Sequence, residues 1–305
     1  MQVLKSRKVQ AFLGNTISIL KLGHSMGYFS EIYKSINVIE RGFRYKGKCG
    51  SISDTREKRR KATPEQMERQ NQLNRIKKIR LYLQANFFQN DIYLTLKYPK
   101  GTRKSREEFL KDIEYFQRML RREYKKRGEE LKWIRRLEIG SRGGLHAHYV
   151  INRIYGIEIL AYKCWKFGSA HFTYLSEEGG MAALAEYFAK ELPDETKQMK
   201  FIDDDVKQFV RYSRSRNLVE PEKEEKQYKR RTMKKILEEI RNGTREAAEG
   251  FYIDKSSIRI GINPYTGYSY CYWRELRINP VERKIRIPED LSIELKSRDS
   301  EVLRS

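Results

Sequence analysis

Between Leu137 and Ile151 the chain can do little except turn back on itself. Gly140, Gly143 and Gly144 interrupt two stretches of alternating residues, and glycine supplies the backbone angles a tight reversal needs. A turn centred on Arg142 sets Glu138 directly across from His146. Side chains two apart on a strand share a face, and opposed residues hold their Cβ atoms about 5 Å apart. Glu138, His146 and His148 therefore converge on one face of a hairpin predicted over residues 131–139 and 145–152. The chain has only four histidines in 305 residues, so two on one strand face beside a carboxylate mark a candidate metal site. From the spacing alone, zinc, chance and a pair of surface histidines stay open, although the helical His-Glu-x-x-His of many zinc enzymes is absent. Phosphate chemistry would favour Mg2+ or Mn2+.

A net charge of +23, from 64 Lys and Arg against 41 Asp and Glu, exceeds what solubility requires and points to a polyanionic partner, with nucleic acid first. The cations are spread along the chain among 20 tyrosines and 13 phenylalanines, as phosphate neutralisation and base stacking would need. No stretch singles out the individual contact residues. Cys49, Cys164 and Cys271 have no Cys-x-x-Cys spacing, which fits a reducing, intracellular setting and no disulfide framework. Residues 11–20 are too short and too polar for a membrane span, so no membrane partner is expected.

Residues 1–40 show no clear period, and the cations from Arg41 to Lys61 read as a basic arm. Thr63-Pro64-Glu65-Gln66 is a helix start, with a cap, a first-turn proline and an acidic residue, opening a helix to about Ala85. Ile92, Leu94, Leu96 and Tyr98 alternate along a strand ended by Pro99. Phe109, Ile113, Phe116, Leu120 and Tyr124 recur at helical spacing between Ser105 and Lys126. After the hairpin come a helix over 157–167, a strand over 171–175 and a helix from Met181 to about Leu192. Residues 203–250 read as charged and mostly helical, and 257–273 as an aromatic hairpin. Gly42-Phe43-Arg44-Tyr45-Lys46-Gly47-Lys48-Cys49 falls short of a phosphate-binding loop, because cysteine replaces the hydroxyl that holds magnesium and no helix follows.

Tyr187 and Lys190 stand three apart on the helix after the glycines, a spacing that shares a helix face and brings an ammonium toward a phenol. Alone, the pair is a weak signal in a chain so rich in both residues. The order of motifs carries more: Tyr93-Leu94-Thr95-Leu96-Lys97, then Glu138 with His146-Ala147-His148, then Tyr187-Phe188-Ala189-Lys190. Over about residues 90–195 this order resembles the HUH endonucleases that initiate rolling-circle replication, and within them the filamentous-phage gene II and small single-stranded DNA phage type. The resemblance implies that Tyr187 attacks a DNA phosphate to form a 5′-phosphotyrosine, with Lys190 assisting. It implies Glu138, His146 and His148 as ligands of Mg2+ or Mn2+, and Thr95 as a structural member of its strand. It also implies single-stranded DNA at a replication origin as substrate, a helicase and polymerase from host or element as partners, and the cytoplasm of a bacterial cell as location. Because Tyr187 follows the His pair, a replication initiator is favoured over a relaxase.

The expected fold class is α+β, an antiparallel sheet of about five strands in the ferredoxin or RRM style, with helices on one face and the site on the other. The expected organisation is a basic N-terminal segment at 1–62, the nicking domain at 63–202 and a basic extension at 203–305. A transposase or mobilisation relaxase with the same chemistry is the alternative enzyme. A non-catalytic basic nucleic-acid-binding protein is the alternative of another class.

Overall fold

A computed structural model describes residues 27–46, 63–140, 143–176, 178–190, 212–263 and 267–287. The elements in chain order are β1 (Gly27–Lys34), β2 (Val38–Lys46), α1 (Pro64–Asn86), β3 (Ile92–Lys97), α2 (Arg106–Lys126), β4 (Trp133–Ile139), β5 (Leu145–Ile151), α3 (Ile157–Cys164), β6 (Ser169–Tyr174), α4 (Ala182–Ala189), β7 (Ser213–Arg214), β8 (Lys223–Tyr228), α5 (Arg230–Asn242), β9 (Phe251–Ile262) and β10 (Ser269–Arg277). The class is α+β, and the strands form two antiparallel five-stranded sheets. Among the described residues, no helix is long and apolar enough to cross a membrane.

Two compact units divide the described residues, one from 34–39, 63–222 and 276–287 and the other from 27–33, 40–46 and 223–275. In the first unit the sheet order is β6-β3-β5-β4-β7. Both long helices start with a reciprocal cap: Thr63 and Gln66 exchange side-chain-to-backbone bonds at α1, as do Ser105 and Glu108 at α2. The apolar stripe of α2 buries Phe109, Ile113, Phe116 and Leu120 completely or nearly so against Ile92, Leu94, Leu96 and Tyr149, with Trp165 after α3 closing the layer. This is the helix-covered face expected from the sequence. The opposite face is not bare, because α1 and α4 cover one end of it. Ile79 and Leu83 of α1 and Ala185 and Phe188 of α4 pack on Ile134 and Val150.

The second unit holds the sheet β8-β1-β2-β10-β9. Tyr28 of β1 stands opposite Tyr228 of β8, and Tyr33 opposite Lys223. Met233, Ile236, Leu237 and Ile240 of α5 bury onto Tyr28, Phe43, Cys271 and Trp273. Residues 27–46 are thus paired strands instead of an unpatterned segment and an arm. Within 203–250 the helical expectation holds for α5, whereas 223–228 is a strand. The rest of the proposed arm, at 47–61, and the 203–211 stretch lie outside the described residues.

Candidate active site

Strand pairing builds the site in rows. Glu138 of β4 is opposite His146 of β5, which is opposite Lys97 of β3. One row along, Arg136, His148 and Thr95 align in the same way. The turn that sets this register closes through Gly140 N–H donating to Gly144 O and Gly143 N–H donating to Gly140 O, each at 2.8 Å. Its tip, Ser141 and Arg142, lies outside the described residues. A Cβ on Gly140 would stand 2.9 Å from His146 Cε1, so the glycine also makes room for that imidazole.

The side chains meet as the rows require. His148 Nδ1 is 2.8 Å from Tyr93 Oη and 3.2 Å from Thr95 Oγ1. The other ring nitrogen, Nε2, lies 3.1 Å from Glu138 Oε2. That contact is within ion-pair range but lacks the alignment of a hydrogen bond, so buried Nε2 has no hydrogen-bond partner. Tyr187 donates from Oη to the same Glu138 oxygen at 2.6 Å, and its ring stands edge-on to His148 with centroids 5.3 Å apart. Arg136, 4% exposed, reaches under α4 and donates to the carbonyls of Phe188, at 3.1 Å, and Lys190. Its guanidinium lies over the Tyr187 ring, 5.9 Å from the centroid. Arg136 thereby satisfies carbonyls at the end of the helix that bears Tyr187.

Lys190 stands at the very end of its helix. The helix ends at Ala189, and Lys190 is the C-cap with non-helical angles (φ −52, ψ 129) and an exposed side chain. The Tyr187 hydroxyl is bonded to Glu138 and not to the Lys190 ammonium. The Lys190 backbone is what joins the site, accepting from Arg136 and donating to Tyr187 O at 3.2 Å.

The charges follow from these contacts. The His148 imidazole first, then the Tyr187 hydroxyl and the Arg136 charge, outweigh burial and hold Glu138 at about 2 instead of 4.5. Burial first, then the bond to Glu138, pushes the Tyr187 phenol well above its ordinary 10. Burial, with the charges of Lys97 and His148, holds His146 below 6.5. A depressed carboxylate stabilises the fold above its unfolded pKa and loses that contribution as pH falls through the folded value. Wild type is therefore expected to lose more stability than Glu138→Gln between about pH 4.5 and 2. Melting curves at pH 7, 4 and 2 check it, and equal losses would contradict it.

Two imidazoles and one carboxylate on a common face form a donor set that suits a divalent cation. The orphaned, buried Nε2 of His148, with Nδ1 held from behind, is the arrangement a metal-binding histidine needs. Among the described residues no three His, Cys, Asp or Glu side chains are already closed on one point.

Residues 91–192 match the family model for the replication-associated protein of the ORF2 and gene II protein type. The matched stretch opens just before β3 and runs past α4, so it holds every row of the site together with Tyr187 and Lys190. No curated protein and no solved structure matches the chain. The replication-associated match thus covers four of the five strands of the site-bearing sheet and leaves out β7, α1 and the second unit. Tyr93, Arg136 and Lys97 are the site-face residues that the motif order leaves without a function. Strand alternation was the available signal, since each is two residues from a residue already on that face.

Proposed function

We propose that this face is the centre of a nicking and joining enzyme acting on single-stranded DNA at a replication origin. The observation that carries the reading is the unbroken contact from Tyr187 Oη to Glu138 and on to His148. A nucleophile candidate, a carboxylate and an imidazole with a free nitrogen share one point on a replication-associated segment.

In the proposed reaction Tyr187 Oη forms a bond to phosphorus as the bond from phosphorus to the 3′-oxygen breaks. The phenol proton, directed at Glu138 Oε2, is released through that carboxylate to water, and the departing 3′-oxygen takes up a proton to become a hydroxyl. The 5′-phosphotyrosine keeps the phosphodiester energy, so attack by a 3′-hydroxyl in the reverse sense joins strands without ATP. Unwinding and synthesis would then fall to a separate helicase and polymerase. Glu138, His146 and His148 would hold Mg2+ or Mn2+, which supplies a Lewis acid for the phosphoryl oxygens. Tyr93 and Thr95 fix the His148 ring from behind, and Arg136 fixes the end of α4.

The test is incubation of the full chain with 3′-labelled single-stranded oligonucleotide pools and Mn2+ or Mg2+. The expected product is a protein-linked label that survives SDS, vanishes with EDTA and maps to the peptide containing Tyr187. Absence of any such product across origin-bearing and random pools would sink the proposal. Tyr93→Phe should weaken divalent-ion binding about 10- to 100-fold, because the bond to His148 Nδ1 is lost while ring packing remains. Calorimetric titration with Mn2+ reads this, and an unchanged affinity would mean that Tyr93 does not orient a ligand.

A further inference from the structure

Lys97 is a second cation on the site face, and the motif order gives it no role. It stands opposite His146 on one side and opposite Ser169 of the edge strand β6 on the other. It is half-buried, and among the described residues no carboxylate or carbonyl is bonded to its ammonium. Helices α1 and α4 cover the end of the face that bears Tyr93, Val150 and Ile134, whereas Lys97 lies at the other end. Beyond it, His171 and Thr173 of β6 are exposed on the same face, aligned with Thr95 and Tyr93. An open polar shelf therefore runs from the His pair to the sheet edge.

The order of the strands gives this shelf a direction. Tyr187 is bonded to Glu138 on β4, the His pair is on β5, and Lys97 is on β3. The Tyr187 ring reaches over His148 toward Tyr93 of β3, and along the row Glu138–His146–Lys97 the lysine lies across His146 from the carboxylate that holds the Tyr187 hydroxyl. In-line displacement at phosphorus puts the attacking and leaving oxygens on opposite sides. Resting on the nicking reading above, we propose that Lys97 is the cation that meets the departing 3′-oxygen, and that the strand ending in that oxygen lies across β3 and β6. The ammonium stabilises the charge that develops on the oxygen as its bond to phosphorus breaks. Lys97 keeps its proton throughout, and the oxygen is protonated from water.

A leaving-group substitution separates this role from binding or folding. The oligonucleotide cleaved by the wild-type chain is made in two forms, with the natural bridging 3′-oxygen or with sulfur in its place. A thiolate leaves without help, so only the oxygen substrate needs Lys97. Lys97→Gln should slow adduct formation about 100-fold with the oxygen substrate and only about threefold with the sulfur one. Lys97→Arg should keep most of the rate on both. Lys125→Gln, the same charge change on α2, behind the opposite face, should match wild type on both. Equal loss on the two substrates, or no loss on either, overturns the assignment of Lys97. No adduct from the wild type on either substrate overturns the nicking reading itself, and this inference with it.

Discussion

Tyr187→Phe is expected to abolish the covalent DNA adduct while leaving a folded chain that still binds DNA. Loss of an attacking atom from a catalytic centre costs on the order of 10⁴-fold or more in rate, and among the described residues no neighbouring group is placed to replace it. Tyr93 Oη, the other nearby phenol, is engaged with His148 on a strand beneath the site. The phenylalanine ring can keep the edge-on contact to His148 and the place under the Arg136 guanidinium. What disappears is one hydrogen bond to a carboxylate, which costs about 1.5–3 kcal/mol at most. Adduct formation and oligonucleotide binding, measured side by side, check the expectation. An adduct formed undiminished by Tyr187→Phe would move the nucleophile elsewhere, and lost binding would make the tyrosine structural.

The second large effect is on stability. Asp91 is fully buried at the entrance to β3 and accepts four hydrogen bonds. Two come from Arg283, at 2.6 and 2.8 Å, and two from the backbone N–H groups of Phe88 and Arg153, at 2.9 and 2.7 Å. Asp91→Ala strands a guanidinium that is mostly buried and leaves two amides unpaired, so a loss of about 3–5 kcal/mol is expected. The same carboxylate anchors the stretch after β10, which is also held by Asn37 bonding both ways with Val281, at 2.9 and 2.7 Å. Urea unfolding measures the effect. A loss below about 1 kcal/mol would show that Arg283 and the amides find other partners. Adding Arg283→Met to Asp91→Ala should recover part of the loss, because the orphaned charge goes with it.

The hairpin was the most legible part of the molecule because its information is local. Three glycines fix the turn, the turn fixes the register, and the register puts Glu138 across from His146. The α2 stripe was legible for the same reason, with every apolar position facing one core. Lys190 lies one residue past the end of α4. Helical spacing was extended through a position that the structure uses as the cap, where Arg136 takes the carbonyls. Strands β1 and β2 were hidden by their partners' distance and by buried polar residues. Ser30 and Glu40 are almost fully buried, which blurs any alternation, and β1 pairs with a strand nearly two hundred residues away. Strand β8, Lys-Glu-Glu-Lys-Gln-Tyr, has no apolar face because it is a charged sheet edge, and such a composition reads as helix. The roles of Tyr93, Arg136 and Lys97 were beyond reach because each depends on a neighbour from another strand or helix.

The sheet β8-β1-β2-β10-β9 draws two strands from before residue 47 and three from after residue 222. A chain emerging from the ribosome must therefore hold β1 and β2 without their outer partners until residues 223 and beyond have been made. The sheet that carries the histidine pair is complete much earlier, once residue 214 has emerged. Synthesis sets an order in which the chemistry-bearing sheet can close first, while the other waits for residues 223–277 to emerge.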